Sequence, residues 1–135
     1  MLSLRLTCVS LLFFLLLAQR PEQITVAHLE SVSYPGPARV VNIQGSVEVD
    51  IKISSTGQVL AASAISGHQL LRPAAEQNAR RWKFSPSSES ERETRIRYEF
   101  VLEEPRTYCP ETIVVYELPT RVRVTASLPL PQPDR

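Results

Sequence analysis

The sequence predicts an α+β domain: a three-stranded antiparallel sheet with helices on one face, extended by one or two C-terminal strands. Three patterns carry that expectation. Val47, Glu48, Val49, Asp50, Ile51, Lys52 and Ile53 alternate apolar and charged residues without a fault, the mark of a strand with one face buried and the other wet. Thr94, Ile96, Tyr98, Phe100 and Leu102 alternate with Glu93, Arg95, Arg97, Glu99 and Val101 in the longest such run of the chain. Between them, Leu71, Ala75, Ala79 and Trp82 recur at helical spacing, so one apolar stripe faces the sheet. A helix laid on an antiparallel sheet buries all three patterns in one layer, with Trp82, Phe84, Tyr98 and Phe100 dominating the core.

The N-terminus has a separate character. Arg5 precedes an apolar run from Leu6 to Ala18, and Gln19-Arg20-Pro21 closes it. A charged start, a short apolar stretch and a small residue fit a secretory signal cut near Ala18. The run of 13 residues falls short of the roughly 20 that a spanning helix needs. An uncleaved inner-membrane anchor is the alternative, since Leu16 is a poor match to the small residue expected before the cut. Cys8 precedes the Leu11 to Leu17 stretch rather than following it, so it is not a lipoprotein cysteine. The expected division is 1–18 signal or anchor, 19–33 lead-in, 34–104 domain, 105–127 strand extension and 128–135 Pro-rich tail.

The elements follow in order. The lead-in carries at most a short strand from Ile24 to His28. Tyr34-Pro35 is extended, because the residue before proline avoids the helical region. It leads into a short helix from Ala38 to about Asn42, which Gly45 is expected to close in a left-handed cap. The Val47 to Ile53 strand turns at Ser54-Ser55-Thr56-Gly57-Gln58, and Val59 to Ile65 completes a hairpin. In the helix, Pro73 fits near the start, and Glu76 early and Arg80-Arg81 late complement the dipole. Ser85-Pro86-Ser87-Ser88 ends that region before the long strand.

Composition excludes several functions. Fifteen Lys or Arg against fourteen Asp or Glu give a net charge of +1, interspersed, with no basic block for nucleic acid or an anionic membrane. Neither cysteine has a C-x-x-C or Cys/His neighbour, so no metal is expected. No Gly-rich phosphate loop occurs, and no cofactor is expected. His28 and His68 lie forty positions apart. Ser66-Gly67-His68 lacks the G-x-S-x-G elbow. Glu103-Glu104 beside Pro105 reads as solvated acids, and no catalytic residue is expected. Membrane contact is expected only if the N-terminal segment is retained.

Tyr34-Pro35-x-x-Ala38-Arg39, Gln44-Gly45-Ser46-Val47, Gly57, Ser66-Gly67-His68 with Leu70-Leu71, Ala74-Ala75, and Arg80-Arg81-Trp82-Lys83-Phe84-x-Pro86 together resemble the C-terminal domain of the TonB family of energy transducers. Tyr34, Pro35, Gly45, Gly57, Trp82 and Phe84 act here as fold markers. The resemblance implies a non-catalytic periplasmic domain, linked to TonB-dependent transmembrane transport, that binds a segment of an outer-membrane receptor by strand addition at the edge of the third core strand. An exposed edge presents unpaired N–H and C=O groups to an extended peptide. That edge belongs to Thr94, Arg95, Ile96, Arg97, Tyr98, Glu99 and Phe100. The family's long Pro-rich spacer has no counterpart between Ala18 and Tyr34, a stretch that extends to only about 50 Å. A small stand-alone member, rather than a force transmitter, is therefore expected. The competing expectation is an envelope or secreted structural protein whose sheet edge is covered by its own C-terminal strands.

Beyond Leu102, Thr112 to Tyr116 and Arg121 to Ala126 read as strands. Glu111, Thr112, Ile113, Val114 and Val115 resemble the acidic-Thr-apolar segment that TonB-type domains capture. This segment is either a self-ligand returning to the strand that ends at Leu102 or an ordinary extra strand. Cys109, left unpaired once Cys8 is removed, is either buried or available to a second chain. The thiol and strand pairing are two routes to a homodimer.

Overall fold

The structure, a computed structural model, describes residues 23–104 and 112–129. The expectations for the signal segment, Cys8, Cys109, Glu111 and most of the tail lie outside the described residues. The elements are β1 (Val26–His28), α1 (Gly36–Val40), β2 (Gly45–Ser54), β3 (Val59–Ser66), α2 (Arg72–Arg81), β4 (Lys83–Phe84), β5 (Glu91–Glu103), β6 (Thr112–Glu117) and β7 (Arg121–Ser127).

The alternation in β2 and β5 does what its period requires. Val47, Val49, Ile51 and Ile53 are buried on one face with Ile96, Tyr98, Phe100 and Leu102, while Arg95 pairs with Asp50 and Lys52 with Glu91 on the other. β2 lies between β3 and β5, antiparallel to both, and its register with β5 runs unbroken from Gly45↔Phe100 to Ser54↔Glu91. α2 lies on the buried face through Leu71, Ala75, Ala79 and Trp82. Pro73 sits in its first turn and Arg80 and Arg81 in its last.

The sheet is five-stranded, in the order β3-β2-β5-β7-β6, and so extends the expected core by two strands. It is mixed, because β7 runs parallel to β5 while β6 and β7 form an antiparallel pair. Val122, Val124 and Ala126 of β7 are buried, so the extension lengthens the same core.

Two local expectations are corrected. Gly45 does not cap α1; the left-handed residue after the helix is Asn42, at φ 56°, with the Ile43 N–H donating to the Ala38 carbonyl at 2.8 Å. Asn tolerates that conformation better than most residues, and it comes early enough to end a one-turn helix. Gly45, at φ 142°, instead opens β2. Glu76 does not serve the helix dipole. Its carboxylate accepts the Ala64 N–H at 2.7 Å, and the first turn of α2 contains no acid. The lead-in strand, β1, pairs with β4 in a separate two-stranded ribbon.

Candidate partner-binding edge

β5 is held along one side by β2. On its other side β7 pairs with Arg97 through Glu103. The expected binding edge is therefore divided: Arg97, Tyr98, Glu99 and Phe100 face a strand already in place. Thr94, Arg95 and Ile96 have no strand partner on that side among the described residues. The Arg97 N–H donates to the Thr120 carbonyl at 2.7 Å and the Glu103 carbonyl accepts from Leu128 at 2.8 Å. Odd-numbered residues of β5 thus turn their backbone groups toward β7, and the alternation of a strand carries the same orientation back to Arg95 and Glu93. These two present N–H and C=O groups to the open stretch.

A groove of about 600 Å³ adjoins that stretch, lined by residues 23–26 of the lead-in, by Thr94, and by Leu118 and Pro119 of the β6–β7 turn. Ile24 and Val26 pack against the core, and Leu118 is exposed, so the walls are mostly apolar. Arg92 precedes the groove on the same face of β5 and is buried. Its Nη2 donates to the Ser85 carbonyl at 2.7 Å, and Ser85 N–H donates to Thr25 of the lead-in at 2.9 Å. On the solvent face, Arg95 grips Asp50 with Nε and Nη2 at 2.6 and 3.2 Å. That grip holds the Asp50 carboxyl below its ordinary range. A second hollow, of about 640 Å³, lies on this face among Asp50, Lys52, Ser63, Glu93 and Arg95. With Asp50 and Lys52 already in ion pairs across the strands, it presents balanced charge.

Of the Glu111–Val115 segment, the described residues Thr112 to Val115 take a different position from the one the resemblance suggested. From Thr112 onward it folds as β6 and pairs with β7, Ile113 opposite Thr125 and Val115 opposite Arg123. The strand that lies on β5 is β7. In strand order the chain passes one position after β5 and returns into it with β7.

Pattern reading missed Asn78, a polar residue on the buried face of α2. Its Oδ1 accepts from Trp82 Nε1 and from the Tyr98 hydroxyl, and its Nδ2 donates to the Glu30 carbonyl at 2.7 Å. The Tyr116 hydroxyl donates to the same Glu30 carbonyl at 2.8 Å. One polar hub thus ties together the lead-in, α2, β5 and β6. Its position seven residues after Leu71, on the stripe of Leu71, Ala75 and Ala79, was the available signal. Burial pushes the phenols of Tyr98, Tyr116 and Tyr34 up.

Trp82 and Phe84, both buried and in ring contact, close one end of this helix-on-sheet arrangement. The family model for the C-terminal region of the Gram-negative bacterial TonB protein matches residues 30–102. The chain belongs to the TonB C-terminal family. The solution NMR structure of the Pseudomonas aeruginosa TonB C-terminal domain superposes with a TM-score of 0.53 at 20% identity, covering 65% of this chain and 95% of that one. At that identity the likeness concerns the fold. No curated protein matches the chain.

The TonB family markers meet one another in space. Gly57, at φ 90°, lies so close to the β4 backbone that a Cβ would stand 1.9 Å from the Phe84 carbonyl oxygen, and its own carbonyl accepts the Phe84 N–H at 2.8 Å. Tyr34 donates to the Ile43 carbonyl at 2.6 Å and sets its ring edge-on to Phe100 at 5.4 Å. Trp82 touches the rings of Phe84 and Tyr116, at 6.1 and 6.2 Å. His68 sits in the turn before α2, where its Nδ1 accepts the Leu70 N–H at 3.2 Å, and His28 faces Glu30 at 3.5 Å. Among the described residues, no helix is long and apolar enough to cross a membrane.

Proposed function

We propose that this chain is an exported, non-catalytic member of the TonB C-terminal family that binds an extended segment of a protein partner by strand addition. The partner class that family membership favours is an outer-membrane receptor, met in the periplasm after removal of residues 1–18, with residues 34–104 as the binding domain. The observation that carries the reading is where β7 stops. Its pairing begins at Arg97, and the backbone groups of Glu93 and Arg95 open beside an apolar groove. A short peptide laid there gains main-chain hydrogen bonds from the edge and side-chain contacts from the groove.

A competing reading, a structural envelope protein whose edge is permanently covered by its own strands, has the pairing of Arg97 to Glu103 with β7 in its favour. Amide chemical shifts of the full chain, titrated with a Glu-Thr-Ile-Val-Val peptide, separate the two. Strand addition moves the amides of Glu91 to Ile96 and is abolished by Glu93→Pro, which removes an outward N–H and leaves the β2 ladder intact. A peptide that leaves those amides unmoved rejects the binding site and favours the covered edge.

A further inference from the structure

Two polar side chains are buried among the described residues, Asn78 and Arg92. Asn78 is satisfied on both atoms of its amide. Arg92, 6% exposed, is not. Its Nη2 donates to the Ser85 carbonyl at 2.7 Å, its Nε is buried without a protein acceptor, and among the described residues no carboxylate pairs with it. The cations of the solvent face differ, since Lys52, Arg95, Arg121 and Arg123 each hold an acid. A buried charge is costly unless it is paired and hydrogen-bonded. One neutral carbonyl leaves most of the five guanidinium donors of Arg92 unused.

The position of Arg92 gives that unused capacity a meaning. It stands opposite Ile53 of β2, at the start of the open stretch of β5. Strand alternation puts it on the same face as Thr94, about 7 Å further along, and Thr94 lines the groove. Ser85, which takes the Arg92 bond, donates its own N–H to the Thr25 carbonyl at 2.9 Å, and Thr25 is part of the opposite wall. The guanidinium is thus tied to both walls of the groove, to one through β5 and to the other through the lead-in.

We infer that Arg92 is the specificity residue of this edge and takes a carboxylate of the partner segment, an inference that rests on the strand-addition reading. An added strand sets the residues opposite Arg92 and Thr94 on one face, two positions apart. The residue opposite Thr94 enters among Ile24, Val26 and Leu118, so an apolar side chain fits it. The residue opposite Arg92 meets an unpaired guanidinium in surroundings that strengthen a charge-assisted bond, so an acid fits it. Beyond Ile96 the segment must turn away, because the Arg97 N–H is already bonded to Thr120. The ligand class is therefore a short extended peptide with an acid two residues from an apolar side chain. A segment with an amide or a lysine at that position leaves Arg92 uncompensated under its own strand.

The test is an NMR titration of the full chain, in mild detergent if the apolar N-terminus is retained. The probes are acetylated and amidated Glu-Thr-Ile-Val-Val, whose only carboxylate is the Glu side chain, and its Gln-Thr-Ile-Val-Val counterpart. The reversed pair, Val-Val-Ile-Thr-Glu and Val-Val-Ile-Thr-Gln, covers a segment running the other way along β5. In the order that binds more tightly, the Glu peptide should bind at least about tenfold better than the Gln peptide. It should also shift the Arg92 Nε–H resonance, which the Gln peptide leaves in place. Arg92→Gln, if its spectrum is that of a folded chain, should bind the two alike. Glu and Gln peptides that move the amides of Glu91 to Ile96 with equal affinity overturn the role of Arg92 and leave strand addition standing, a result read on the native chain alone. A preference for Glu that survives in folded Arg92→Gln assigns the acid to another cation and overturns it too. Peptides that move none of those amides reject strand addition itself, and this inference with it.

Discussion

Trp82 and Tyr98 donate to the same atom, Oδ1 of Asn78, at 2.9 and 2.8 Å, inside the core. The two donors come from the end of the helix and the middle of the third core strand, so one buried amide fixes how α2 sits on β5. Asn78→Ala leaves both donors, and the Glu30 carbonyl's bond from Nδ2, without that partner. Each orphaned buried group costs about 1–3 kcal/mol, and a loss of about 2–4 kcal/mol is expected in urea denaturation. A loss within the range of a surface change, about 0.5 kcal/mol, would mean the amide is not the hub.

Trp82 is 1% exposed and contacts Phe84 and Tyr116. Trp82→Ala should cost about 3–5 kcal/mol, the range for a buried aromatic. It should also release the β6–β7 hairpin, which would appear as faster amide exchange at Val114 and Tyr116. Loss of stability without faster exchange in the hairpin would separate the two effects and refute the second.

Burial raises the Tyr98 phenol far above its ordinary value, and it raises Tyr116 and Tyr34 as well. A raised acid keeps its proton in the folded chain. Below the unfolded value of about 10 this contribution is fully present. Above it the unfolded chain loses protons that the folded chain retains, so stability falls as pH rises. Denaturation midpoints should therefore decline from about pH 10 upward, and Tyr98→Phe should make the decline shallower. Tyrosinate absorbance that titrates fully near pH 10 in a chain still folded would contradict the burial.

The fold was legible where one physical rule acted alone. Perfect alternation in Val47 to Ile53 and Thr94 to Leu102 read directly as half-buried strands, and the Leu71, Ala75, Ala79 stripe as a helix on them. Reading failed where two solutions shared one pattern. Thr112 to Tyr116 and Arg121 to Ala126 both look like strands, and nothing in either says which lies beside β5. The order depends on how far the intervening connection reaches, a tertiary property. Gly45 and Asn42 could each end α1, and the nearer one did. Asn78 escaped because a polar residue on an apolar stripe is ordinarily solvated, and only its three partners make it a core residue. The division of the binding edge at Arg97 could not be read, because it is set by where the Leu118-Pro119-Thr120 turn falls against β5.

That division makes the chain cut after Glu104 informative. Removing β6 and β7 strips Val122, Val124 and Ala126 from the core, where they lie 0–2% exposed. It also removes the bond from Tyr116 to Glu30. Each fully buried valine contributes about 1.5–3 kcal/mol, so the truncated domain should lose several kcal/mol in chemical denaturation while keeping the β3-β2-β5 sheet and α2. If it folds, the outward groups of Arg97, Glu99 and Val101 become free and continuous with those of Glu93 and Arg95. A Glu-Thr-Ile-Val-Val peptide that moves only Glu91 to Ile96 in the full chain should then move amides along the whole of β5 and bind more tightly. Equal affinity and the same short set of shifted amides in both chains would show that β7 does not limit the edge.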